Sequence, residues 1–116
     1  MTALRDAILA LPPQERLGAA LDLIDDLTGA RGDAVAALSQ RYGLTPKEAA
    51  VVDSLNRAWP RVLGRESLFL RVWGHDSEVH DKLMDIYISR VRAKLGRDAI
   101  RTVWGLGWVL PEKVAA

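Results

Sequence analysis

Six cations crowd positions 82 to 101: Lys82, Arg90, Arg92, Lys94, Arg97 and Arg101, against two acids, Asp85 and Asp98. Ammonium and guanidinium groups at that density hold oxyanions, and the planar fork of arginine can grip two acceptors at once. Proton-transfer and metal chemistry find far less support. The two histidines, His75 and His80, stand five apart with no third ligand at metal spacing. No Ser-His-Asp order, glycine-rich phosphate loop or close carboxylate pair accompanies them. Cysteine is absent, which excludes disulfides, thiol catalysis and cysteine metal sites. No catalytic residue, metal or cofactor is expected, and the chain does not read as an enzyme.

The formal net charge of +1 conceals a division. Residues 1–43 carry four basic and six acidic groups, whereas residues 44–116 carry twelve and nine. Positive charge gathers where a polyanion would have to bind. A solvated charged face would produce the same count.

The elements that must position these cations follow from spacing. A helix over about 80–95 puts Met84, Ile88, Val91 and Leu95 on one face and closes at Gly96. With that face inward, Lys82, Ile86, Ser89, Arg90, Ala93 and Arg97 point outward, and Arg92 and Lys94 take the flanks. Basic heads beside small residues let a helix enter a major groove about 12 Å wide, where arginine can pair bidentately with guanine. Flanking cations would neutralise phosphates and set register. Ile86, apolar amid a polar face, suits a thymine methyl; packing on a neighbouring element is the alternative. Residues 100–110 then read as a short β-hairpin in which Gly105 and Gly107 permit a tight turn. Arg101 and Thr102 can reach phosphate from that hairpin. Trp104 and Trp108 are expected to pack in the core or against the hairpin rather than to stack on bases. A cationic helix followed at once by a hairpin is the layout of a winged helix-turn-helix.

Upstream, Thr45 can cap a helix, Pro46 takes its first position and Glu48 completes a capping box. That helix runs to about Ala58 with Ala49, Val52 and Leu55 inward, and Trp59-Pro60 breaks it. A second helix, about 65–73, carries Leu68, Val72 and Trp73 and stops at Gly74; a loop over 74–79 follows. The first 43 residues read as helical. Leu4, Ile8 and Leu11 share a stripe that Pro12-Pro13 must end. A helix over about 13–28 aligns Leu17, Leu21, Ile24 and Leu27, and a third over about 33–42 has Asp33 as N-cap with Val35 and Leu38 on its apolar side. The fold class is therefore mainly α with a small β-hairpin: a winged helix-turn-helix at 44–112 behind an N-terminal helical extension at 1–43. With 49% hydrophobic residues there is material for a core. No apolar run approaches the ~20 residues of a membrane span, and no signal-peptide layout opens the chain. A cytoplasmic, nucleoid-associated protein is the expectation.

Taken in order, these segments resemble the C-terminal effector domain of OmpR/PhoB-type response regulators. The matching pieces are Leu44-Thr45-Pro46-Lys47-Glu48, Arg61-Val62-Leu63-Gly64-Arg65-Glu66-Ser67-Leu68 and Val72-Trp73-Gly74. Asp85 with the run from Ile88 to Gly96, and the run from Ile100 to Leu110, complete the set. The resemblance covers Leu44 to Leu110. It implies that the helix at 80–95 is a recognition helix in which Ile86, Ser89, Arg90 and Arg92 match base- or phosphate-contacting positions. It also implies that Thr102 meets the DNA backbone, and that the segment 74–79 matches one that touches RNA polymerase in some members. Three departures stand out. Trp104 occupies a position commonly held by an arginine that enters the minor groove, and the Thr-Val-Trp-Gly wing is similar to that of alphaproteobacterial CtrA-type regulators. Gly64 stands where serine or threonine usually caps the second helix. Where the family carries a phosphorylatable receiver, this chain has 43 helical residues. Asp25-Asp26 lacks the buried strand of a receiver's acidic pair and reads as a solvated helix face, so control by receiver phosphorylation is not expected.

The leading expectation is a receiver-less, sequence-specific transcription regulator that binds double-stranded DNA. Its stripe Leu17, Leu21, Ile24 and Leu27 would serve a homodimer or a partner, or else enlarge the core of the winged helix. The alternative is a protein-interaction module, an antagonist or RNA polymerase adaptor, that keeps the fold without specific readout.

Overall fold

The computed structural model describes residues 6, 8–18, 20, 29–74 and 80–114. Leu4, Leu21, Ile24, Leu27, Asp25, Asp26, His75 and the rest of the loop at 75–79 lie outside the described residues.

Helix α1, Ala30–Tyr42, starts three residues before Asp33, so the N-cap assigned to Asp33 is corrected. Gly29, at φ 86°, makes the turn into the helix without a side-chain cap, because glycine enters the left-handed region without a Cβ clash. Asp33 instead lies exposed in the first turn, where its charge suits the helix dipole. The far end closes at Gly43, φ 66°, and the Ser39 hydroxyl donates to the Leu44 carbonyl just beyond it. Helix α2, Pro46–Ala58, opens on the expected capping box: the Glu48 amide donates to Thr45 Oγ1 (3.3 Å) and the Thr45 amide to Glu48 Oε1 (2.9 Å). Helix α3, Arg65–Trp73, begins at uncapped Gly64 and ends at Gly74, φ 76°. Helix α4, His80–Leu95, is the basic helix. Strands β1, Arg101–Val103, and β2, Gly107–Val109, pair antiparallel with Thr102 opposite Trp108.

α2 packs against α1, α3 and α4, which makes it the centre of the fold. Its own Val51, Val52 and Leu55 are almost fully buried together with Leu38, Leu63, Leu68, Phe69, Met84, Val91 and Ile100. Leu38 belongs to α1, so the described end of the extension shares this core, with Val35 and Tyr42 packed against it. A buried arginine reinforces the joint. Arg31 donates to Ser54 Oγ (2.5 Å) and lies 3.9 Å from Asp53, whose carboxylate also takes Arg57 Nε at 2.9 Å. The two partners are what makes burying that carboxylate tolerable.

Nearer the N-terminus, residues 13–18 are helical, and Leu11 packs with Ile8 on Leu70 of α3. Two arginines tie this segment down: Arg61 donates to the Gln14 carbonyl (3.1 Å) and Arg71 to that of Glu15 (3.4 Å). Leu17 remains 69% exposed.

Candidate nucleic-acid interface

α4 turns Met84, Ile88 and Val91 into the core and leaves Lys82, Ile86, Ser89, Arg90 and Ala93 exposed. Ile86 keeps 46% of its surface open to solvent, so it is an outward apolar residue and not part of the core. Arg90 lies over the ring of Tyr87 at 5.2 Å, which steadies a long side chain without cancelling its charge.

The two flanking cations do different work. Arg92 forks onto the wing, with Nε and Nη2 donating to the Ile100 carbonyl at 3.1 and 2.6 Å and Nη2 to Thr102 Oγ1 at 2.9 Å. Lys94, on the opposite flank, meets Glu48 Oε1 at 2.6 Å. Burial opposes ionisation of the Glu48 carboxyl. The hydrogen bonds from Lys94 and the Thr45 amide, together with the Lys94 charge, outweigh it and hold its pKa below the ordinary glutamate value. Lys94 therefore fastens α4 to the N-terminus of α2.

The wing is fastened at a second point. Leu63 bridges Trp108, its amide donating to the Trp108 carbonyl (2.8 Å) and its carbonyl accepting from the Trp108 amide (2.9 Å). A Cβ on Gly107 would fall 1.9 Å from the Leu63 carbonyl oxygen, so only glycine allows this approach. Arg65 of α3 stacks over Trp108 at 4.7 Å and pairs with Asp85 of α4 at 2.8 Å. Between these elements lies a concavity of about 740 Å³ whose walls include Ser89, Arg92, Arg97 and Thr102, with Arg65 at one side and Trp104 at the rim. Arg97 and Arg101 also border an adjoining cleft of about 410 Å³ with Arg92 and Thr102.

Ser89, Arg92, Arg97, Thr102 and Arg101 are thus brought together at the junction of helix and wing, while Lys82, Ile86 and Arg90 continue the surface along α4. Lys94 is turned away to Glu48. Trp108 is buried as expected, but Trp104 is not: it is 90% exposed. The expectation that it packs is corrected, since it stands in the turn of a two-stranded hairpin, which has no further layer to cover it. Sequence reading missed Arg65. Its distance along the chain from Asp85 and Trp108 hides the contact, and its place at the first position of a helix was the available signal.

A helix-turn-helix of α3 and the basic α4, with a pinned β-hairpin after it, defines the class as a winged helix. Residues 39–110 match the family described as "Transcriptional regulatory protein, C terminal". The chain belongs to that family, the OmpR/PhoB-type DNA-binding effector domains, and it is a transcription-regulator domain and not an enzyme. It is 40% identical over 70 residues to the transcriptional regulatory protein QseB of Escherichia coli O157:H7, covering 60% of this chain and 32% of QseB. It is 36% identical over 76 residues to the phosphate regulon transcriptional regulatory protein PhoB of Rhizobium meliloti, covering 62% and 34%. The alkaline phosphatase synthesis transcriptional regulatory protein PhoP of Bacillus subtilis is 36% identical over 74 residues, covering 60% and 31%. The chain spans about a third of the length of these relatives. Among the described residues no helix is long and apolar enough to cross a membrane.

Proposed function

We propose that the chain reads a specific double-stranded DNA sequence, with α4 in the major groove and the β1–β2 hairpin as the wing. The observation that carries this reading is the outward face of α4, where Lys82, Ile86, Ser89 and Arg90 lie exposed in continuity with the Arg92, Arg97 and Thr102 concavity. Arg90 is the side chain best suited to guanine, Ile86 to a thymine methyl, and Lys82, Arg97 and Arg101 to phosphate. Arg92 acts chiefly by holding Thr102 in place. Lys94 is a brace for the helix rather than a DNA contact.

Selection of bound fragments from a random DNA pool at fixed salt, with wild type beside Arg90→Ala, tests this. The wild type should enrich a short motif, and the variant should lose preference at one position by about 1–3 kcal/mol. Failure of the wild type to enrich any motif would overturn specific readout. It would favour the second reading, an antagonist or RNA polymerase adaptor, which the exposed apolar tip of Trp104 and Leu106 supports.

The stripe Leu17, Leu21, Ile24 and Leu27 would serve a homodimer in this reading, and Leu17, its described member, is exposed. Sedimentation at micromolar concentration should give a dimer that Leu17→Asp weakens; a wild-type monomer removes the idea. Contact of the 74–79 segment with RNA polymerase rests on family resemblance, and polymerase binding undiminished by Asp76→Ala with Glu78→Ala counts against it. Control by receiver phosphorylation forms no part of the proposal.

A further inference from the structure

A singly exposed apolar residue is ordinary on a protein surface, so the 90% exposure of Trp104 matters only because of where the residue stands. Three features fix that place. Cross-strand neighbours share a face, and Thr102 sits opposite Trp108, so both look toward α3 and α4. Trp104 stands in the turn directly after β1 and lines the same concavity as Thr102 and Trp108. The hairpin itself is held rigidly by the Arg92 fork, the Leu63 bridge and the Gly107 approach. Its turn is closed by the Leu106 amide donating to the Val103 carbonyl (3.0 Å). The indole accordingly rises at the rim of the concavity that holds Arg65, Arg92 and Arg97.

We propose that Trp104 is a wedge that enters the minor groove beside the recognition helix and partly unstacks one base step of the bound duplex. The proposal rests on the reading of α4 and the wing as the DNA face. Cations along the concavity can neutralise phosphates, whereas an uncharged indole brings no charge to them. What it offers is a flat apolar face and one N–H donor. Those suit deoxyribose, exposed base faces and the adenine N3 and thymine O2 acceptors of the minor groove. Apolar side chains inserted there kink the duplex, most easily at pyrimidine–purine steps. Trp104 would thus add preference for a deformable step at a position where α4 makes no base contact.

The test uses the full chain and a duplex of about 30 base pairs carrying the enriched motif, a length over which a bend is measurable. 2-Aminopurine replaces an adenine at each flanking step in turn, and end labels report the bend by energy transfer. Wild type should brighten 2-aminopurine at one step and shorten the end-to-end distance. Trp104→Ala should melt as the wild type does, bind about ten- to a hundredfold more weakly, and lose both signals. Its salt slope should stay the same, because no charge is removed. Trp104→Arg should regain affinity with a salt slope steeper by about one and without the 2-aminopurine signal. Leu106→Ala, at the same tip but outside the concavity, should change neither signal. A Trp104→Ala chain that binds and bends the duplex as wild type does overturns the wedge alone and leaves the tip to a protein partner. A wild type that prefers no duplex overturns the DNA reading and the wedge together.

Discussion

Arg92 and Lys94 lie two residues apart on one helix, yet they serve the structure differently from each other and from Arg90, two residues before Arg92. Arg92 fastens α4 to the wing through Ile100 and Thr102, and Lys94 fastens it to α2 through Glu48. Arg90 meets only the face of Tyr87 among the contacts described for it. The difference teaches that a cluster of cations on a basic helix is not a list of nucleic-acid contacts. Flank positions reach neighbouring elements and become fasteners, while outward positions keep their donors for a ligand. Both kinds are needed, because a recognition face reads sequence only when the helix carrying it is held still.

Breaking the wing fastener should have the largest effect. Arg92→Ala removes a charged donor from the carbonyl of buried Ile100 and from a threonine hydroxyl, at a cost of about 2–3 kcal/mol in denaturant unfolding. It should also weaken DNA binding by releasing the hairpin. Unchanged stability would mean that Leu63 and Gly107 hold the wing unaided. Arg90→Ala should do the reverse: about 1–3 kcal/mol in base discrimination, with stability inside the roughly ±0.5 kcal/mol of ordinary surface changes. Loss of stability without loss of discrimination would place Arg90 among the fasteners.

The α2 fastener gives a smaller effect with a definite pH signature. Lys94→Met leaves the Glu48 carboxylate with the Thr45 amide as its described partner and should cost about 1–2 kcal/mol at neutral pH. Because the folded Glu48 pKa lies below its unfolded value, the contribution is complete above the ordinary glutamate range, about 4.3. It is lost as pH falls through the folded value. Urea melts from pH 7 to 3 should show the gap between wild type and Lys94→Met closing on the acid side. A gap of constant size would show that Lys94 packs its stem and contributes no charge.

The helices were legible because their signals are local. The Thr45-Pro46-Glu48 capping box, the Gly74 stop and the Met84, Ile88, Val91 face each depend on residues a few positions apart. Outward Ile86 followed from the same periodicity, and buried Trp108 from its bulk and apolarity. What escaped were pairings across long separations, such as Arg65 with Asp85 and Trp108, or Lys94 with Glu48. Periodicity reports the direction of a side chain but not what another element brings to meet it. The start of α1 escaped for a different reason, since Gly29 turns the chain by backbone freedom and no capping side chain marks the place. Trp104 escaped because bulk and apolarity normally predict burial, whereas a two-stranded hairpin has no further layer to cover its tip.

Lys82 gives the finest test of the comparison, because it stands exposed one turn before Ile86, with no partner among the contacts described. If outward cations serve DNA, it adds one phosphate contact and no sequence information. Lys82→Ala should then weaken binding to all duplexes alike and reduce the salt dependence of log K by about one unit of slope. The enriched motif should not change. A shift in motif would make Lys82 a base reader and extend the specific face a full turn toward the N-terminus of α4. An unchanged slope would confine the face to the stretch between Ile86 and the wing, so that α4 enters the groove by its C-terminal half.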